Sequence, residues 1–118
     1  MDVVDTFFSL LDACVTADSG PAGLRGRIGV GVLGERAAWW VADFGDTTAL
    51  RRSVDAPDGC DAALLLDEAG VARQLAGGEA RPLQTFGDIA LLDRFASRFV
   101  RRQGAMGLRL HAMTRGAR

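Results

Sequence analysis

Glycines at 29, 31 and 34 spell Gly-x-Gly-x-x-Gly, the spacing that lets a backbone approach the pyrophosphate of a dinucleotide. That chemistry needs an apolar strand before the first glycine and a helix opening after it. Here residues 21–27 read Pro-Ala-Gly-Leu-Arg-Gly-Arg, and too little chain follows for the remaining strand–helix–strand units. Ile28, Val30 and Val32 alternate with the glycines, which is the period of a β-strand with one packed face and one bare of side chains. A closely packed neighbour on the bare face accounts for the glycines better than a nucleotide does.

Other chemistry-bearing residues are few. Asp55, Asp58 and Asp61 offer the oxygens a hard cation prefers, but their spacing around Pro57 and Gly59 does not fit a twelve-residue calcium loop. Turn formation suits them better, and no metal site is expected. His111 is the single histidine, with neither Cys nor His beside it to complete a zinc site. It lies in the basic tail, so a Ser-His-Asp or Cys-His site would have to recruit it from outside the expected core. All fourteen basic residues are Arg, so Schiff-base chemistry and a phosphate-binding Gly-Lys-Ser/Thr loop are excluded. No cofactor is expected. Asp43 and Asp88 are the candidate catalytic groups, because a carboxyl beside an apolar cavity can be raised toward neutrality and act as a general acid or base. Asp88 also has a local explanation, as the N-cap of the helix that follows, worth about 1 kcal/mol.

The elements that position these groups follow from periodicity. Residues 2–17 predict an amphipathic helix, with Val4, Phe7, Phe8, Leu11, Cys14 and Val15 on one stripe. Strands are expected over 27–33, 36–44 and 47–54, joined by Gly34-Glu35 and Gly45-Asp46. Trp39 and Trp40 must then face opposite sides of the sheet. Residues 61–67, Asp-Ala-Ala-Leu-Leu-Leu-Asp, read as a fourth, buried strand. A short helix over 68–76 with Ala72, Leu75 and Ala76 on one face ends at Gly77-Gly78. Residues 82–86 are extended, and Gly87-Asp88 opens a last helix over 89–102 with Ile89, Leu92, Phe95, Ala96 and Phe99 aligned. The order predicts an α+β fold, with helices over a mixed, mainly antiparallel five-stranded sheet.

Length and composition set outer limits. With 118 residues, 48% of them hydrophobic, the chain can fill one core, assigned to residues 1–103. The net charge of −1 hides an asymmetry: residues 1–93 carry −8, while 94–118 hold seven Arg and no acid. Residues 104–118 are expected to be a basic, flexible tail. They lack interleaved aromatics, so no nucleic-acid partner is expected. Two cysteines, Cys14 and Cys60, without metal or redox spacing suit a reducing compartment. The N-terminus has no basic leader region and no apolar run is long enough to span a bilayer. A cytoplasmic protein without stable membrane insertion is the expectation.

Three stretches together carry a family resemblance. Residues 26–33, Gly-Arg-Ile-Gly-Val-Gly-Val-Leu, with the Trp-bearing segment 35–43 resemble the first hairpin of the sterol carrier protein 2 (SCP2-like) family. Residues 61–67 and 74–78 resemble its next strand and the end of its Gly-closed helix, and Phe86-Gly-Asp resembles the turn into its last helix. The resemblance covers most of residues 5–100 and marks a divergent, bacterial-type single domain. It implies a hydrophobic cavity for a lipid-like molecule. The family usually has another short helix walling that cavity, and here residues 77–82 leave almost no room for one. The cavity is therefore expected to be smaller, more open, or closed by the tail.

On this basis the leading expectation is a carrier that binds a hydrophobic small molecule. Its candidate lining is Phe7, Leu11, Ile28, Val30, Trp40, Phe44, Leu64, Leu66, Leu75, Phe86, Leu92, Phe95 and Phe99, most of them serving as ordinary core. Two alternatives stay open. One is a cofactor-free isomerase or cyclase acting in the same cavity through Asp43 or Asp88. The other is an accessory domain, homodimeric or bound to another protein through an outward Trp or the Arg-rich tail.

Overall fold

The computed structural model describes residues 3–17, 24–35, 37–78 and 81–100. Helix α1 (Val3–Ala17) precedes strands β1 (Gly26–Leu33), β2 (Ala38–Phe44), β3 (Ala49–Ser53) and β4 (Ala62–Asp67). Helix α2 (Glu68–Leu75), strand β5 (Gln84–Gly87) and helix α3 (Ile89–Phe95) follow, and α3 continues as a π-helical turn over Ala96–Val100. The strands form one sheet in the order β3-β2-β1-β4-β5. Only β1 and β4 run parallel; the other three pairs are antiparallel. The α+β class and mixed five-stranded sheet expected from the element order are those observed. The tail at 104–118, with His111, lies outside the described residues.

Alternation along β1 organises the sheet. Ile28 stands between Ala42 and Ala62, and Val30 between Trp40 and Leu64, so these rows make one apolar floor. Onto it α1 lays Val4, Phe7, Phe8, Leu11, Cys14 and Val15, all buried as their spacing predicts. Each large side chain withdrawn from water in this way contributes about 1.5–3 kcal/mol. The Gly-x-Gly-x-x-Gly segment is strand through Leu33, and its two strand glycines face the other side of the sheet. There a Cβ on Gly31 would meet the Trp39 ring at 2.7 Å, and one on Gly29 would meet Cys60 Sγ at 3.2 Å. The glycines are present because an indole and a loop lie directly on the backbone.

Two helical faces differ from expectation. In α2 the buried residues are Gly70, Val71 and Gln74, while Ala72 and Ala76 are exposed and Leu75 is partly covered. Asp67 caps this helix, its Oδ1 accepting from the Gly70 N–H at 2.7 Å. In an eight-residue helix the phase is set by its cap and by the strand feeding it, and the small apolar residues do not choose the face. In α3 the buried set is Leu91, Leu92, Phe95 and Phe99, whereas Ile89 is 58% exposed. At about 100° per residue Ile89 sits roughly a quarter-turn from the mean direction of the others. Asp88 does cap α3, with Oδ1 accepting from the Leu91 N–H at 3.1 Å.

Candidate functional site

The helix side of the sheet carries an aromatic cluster. Phe95 lies 5.7 Å from Trp40, 6.1 Å from Phe44 and 5.5 Å from Phe99 between ring centroids, and Phe44 and Phe99 stack at 5.9 Å. Strand β2 supplies Trp40 and Phe44, four residues apart on one face, and α3 with its π turn supplies Phe95 and Phe99. The buried indole N–H of Trp40 donates to Asp12 Oδ1 of α1 at 2.8 Å, which removes the penalty of an unsatisfied buried donor. Asp12 Oδ2 pairs at 3.2 Å with Arg52, which also donates to Ser9 Oγ and lies over the Phe8 ring. Arg52 on β3 thereby clamps α1 to the sheet edge.

Eleven of the thirteen candidate lining residues share this core, and Leu75 packs against its margin. Phe86 does not join them. It pairs with Ala63 in the row on the opposite face of the sheet and is 43% exposed, because β5 reads one residue out of phase with the assigned set. Within the core, Phe7, Leu11, Ile28, Val30, Trp40, Phe95 and Phe99 present no surface that a water molecule could reach. The side chains meet one another in this state, and a ligand among them would have to displace some.

Asp43 lies on the opposite face, away from the apolar core. Its Oδ1 accepts from Arg27 Nε at 2.7 Å, so it is a paired surface carboxylate and no apolar wall surrounds it. Asp88 is likewise exposed. Among the described residues the one buried polar side chain is Gln74, so no described carboxylate stands inside the apolar core as the isomerase reading requires. Also among the described residues, no cluster of three or more His, Cys, Asp or Glu is placed to hold a metal, and no helix is long and apolar enough to cross a membrane.

The outer face is built around Arg27. Its backbone N–H donates to Asp61 Oδ2 at 2.7 Å, and Nη1 donates to the Asp58 carbonyl at 2.9 Å, which straps the 54–60 loop across the strands. The guanidinium is held firmly protonated by Asp43, first through their hydrogen bond and then through its charge. Cys60, half-buried in this loop, has its thiol pKa pushed up by burial, with Arg27 and Arg51 pulling it partly back and Asp43 adding to the rise. The folded protein thus holds that proton more tightly than the unfolded chain. This contribution to stability is intact below the ordinary thiol pKa of about 8.5 and is lost as pH rises through the folded value. Alkylation of the Cys60 peptide by iodoacetamide, followed by mass spectrometry, is expected to lag behind a free cysteine peptide near pH 8 and to keep accelerating at higher pH. Equal rates across that range would contradict the shift.

The roles of Asp12, Arg52, Asp67 and Asp61 escaped the sequence analysis. Asp67 had a local signal, an acid three residues before a helical glycine. The other three act across 28 to 43 residues of chain, where spacing carries no information.

No protein-family model matches the chain, and no curated protein matches it significantly. Among solved structures it is similar to the solution structure of a conserved hypothetical protein from Thermus thermophilus, described there as a possible sterol carrier protein. The TM-score is 0.55 at 13% identity, covering 86% of this chain and 82% of that one. At that identity the likeness concerns the fold.

Proposed function

We propose that this domain binds an apolar, lipid-like small molecule on the helix side of its sheet, as a carrier without chemistry of its own. One observation carries the reading: the Trp40, Phe44, Phe95 and Phe99 cluster is roofed by α3, and every residue from 81 to 90 leading into that roof is exposed. Within that segment β5 stays paired to β4, so α3 would lift about the Gly87-Asp88 turn without breaking the sheet. The ligand would then replace aromatic contacts of α3 with its own. The similar Thermus protein agrees with this reading.

Energetics fix what should be measured. Burial of roughly 300 Å² of apolar ligand surface supplies about 8 kcal/mol, or micromolar affinity, before any cost of opening. Each 1.4 kcal/mol spent on lifting α3 weakens binding about tenfold. Trp40 lies inside the cluster, so Trp39→Phe leaves it as the sole tryptophan and a reporter for the site. Titration of that variant with a fatty acid or a polycyclic probe is expected to change Trp40 emission saturably, one to one, and with little dependence on salt. Leu92→Trp should abolish binding, read from the probe's own fluorescence, while leaving the fold largely intact. A folded protein that binds no apolar probe would sink the carrier reading.

A second reading has its own observation. On the face away from the helices the Trp39 ring lies over Gly31, with Leu33 and Phe86 both exposed. That surface suits an accessory domain that contacts another protein. It would be favoured if Trp40 emission ignored every apolar probe.

A further inference from the structure

The outer face of the sheet holds a cleft of about 430 Å³ between strand β3 and the loop after it, lined by Arg27, Arg51, Arg52, Ser53, Pro57 and Asp58 among others. It is separate from the aromatic cluster, which lies on the opposite side of the sheet. Three arginines stand in the strands, and they are used unequally. Arg52 turns to the helix side and is engaged by Asp5 and Asp12. Arg27 spends Nε on Asp43 and Nη1 on the Asp58 carbonyl, which leaves its Nη2 without an acceptor among the described residues. Arg51, on the outer face opposite Val41, makes no hydrogen bond and no ion pair among the described residues.

The walls around these donors are fixed in advance. Ser53 Oγ donates to the Asp55 carbonyl at 2.8 Å and accepts from the Asp55 N–H at 3.1 Å, which locks the start of the loop. The Arg27 bond to Asp58 and the bond from the Asp61 N–H to the Arg27 carbonyl, 2.8 Å, lock its end. Arg27 and Arg51 both line the cleft. A planar guanidinium held at two of its nitrogens, with a second one free beside it, matches the geometry of a phosphate or carboxylate. Arg27 is held in place before such a group arrives, whereas the exposed Arg51 side chain is ordered on binding, which lowers the affinity gained from it.

We propose that this cleft binds the phosphate or carboxylate group of a small polar molecule, with Arg51 and the outer nitrogen of Arg27 as donors. Asp43 does not oppose the anion strongly because its charge is matched by Arg27. Asp58 is unmatched by any described arginine side chain, and its carboxylate limits the affinity. The site is independent of the apolar site proposed above, so either can fail alone.

Inorganic phosphate and citrate, each titrated at low ionic strength, test this by NMR of the arginine Nε–H and the backbone amides of 51–61. Expected are saturable shifts at Arg51, Arg27 and the loop, with affinity in the millimolar range or better. Arg51→Ala should weaken binding about tenfold, the value of a lost charge-assisted bond. Its melting temperature should hold, since Arg51 bonds to nothing among the described residues. Asp58→Asn should tighten binding severalfold. A response to phosphate alone assigns a phosphate-bearing ligand, and a response to citrate alone assigns a carboxylate. If sodium chloride at matched ionic strength produces the same shifts, or Arg51→Ala binds as well as the wild type, the proposal is overturned.

Discussion

Replacing Phe95 with alanine is expected to cost the fold about 3–5 kcal/mol, the usual range for a fully buried Phe reduced to Ala. No part of Phe95 is exposed, and its ring touches Trp40, Phe44 and Phe99 from three directions. The void left behind is bounded on one side by a rigid sheet, which cannot collapse into it. On the other side it is bounded by α3, whose π turn begins at the next residue. Single domains are stable by about 5–15 kcal/mol, so the variant would lose between roughly a fifth and all of its margin. Phe86→Ala provides the contrast: the same truncation on an exposed outer-face strand should cost under about 1 kcal/mol. Denaturant titration of both variants measures the difference. A Phe95→Ala loss as small as that of Phe86→Ala would mean that the cluster does not hold α3 down, and the roof that the proposed binding site depends on would not exist as described.

What the sequence could show was local or periodic. The α1 stripe needs only residues within one helix, and the Asp88 cap only the three residues after it. The glycine alternation at 29 and 31 announced both a strand and a close neighbour, and adjacent tryptophans in a strand had to diverge. The neighbour itself could not be read. Trp39, Pro57 and Cys60 reach the glycines from a separate strand and a separate loop, and no periodicity links them. The same limit hid the Asp12 bond to Trp40, which joins α1 to β2 across 28 residues. It also hid the outer cleft, whose donors come from β1 and β3. Ala72, Ala76 and Ile89 show a different limit. Each fits a helical stripe by spacing, yet in helices of seven or eight residues the cap and the neighbouring strand outweigh one small or terminal apolar side chain.

The second large effect is expected at Gly87, where β5 turns into α3. Its φ of +78° belongs to the left-handed region, which costs a side-chain-bearing residue about 1–2 kcal/mol. A Cβ there would also fall on the Asp61 carbonyl oxygen, with the Ala62 Cα 3.1 Å away. Both are backbone atoms of β4 and its approach, so no side chain can rotate aside. That oxygen accepts from the Asp88 N–H at 2.8 Å, and moving it loosens the bond that fixes the capping residue of α3. Strain and overpacking together put Gly87→Ala at about 2–5 kcal/mol. Gly45→Ala is the control, because its φ is not positive and its Cβ would meet only the Thr47 carbonyl at 3.9 Å. The damage should also be directional. Hydrogen exchange should show amides of α3 losing protection while those of β2 and β3, the strands farthest from β5 in the sheet, keep theirs. A Gly87→Ala protein as stable as Gly45→Ala would mean that the turn relaxes freely. A uniform loss of protection would mean that α3 and the sheet open as one unit, leaving a ligand no route beneath α3 short of global unfolding.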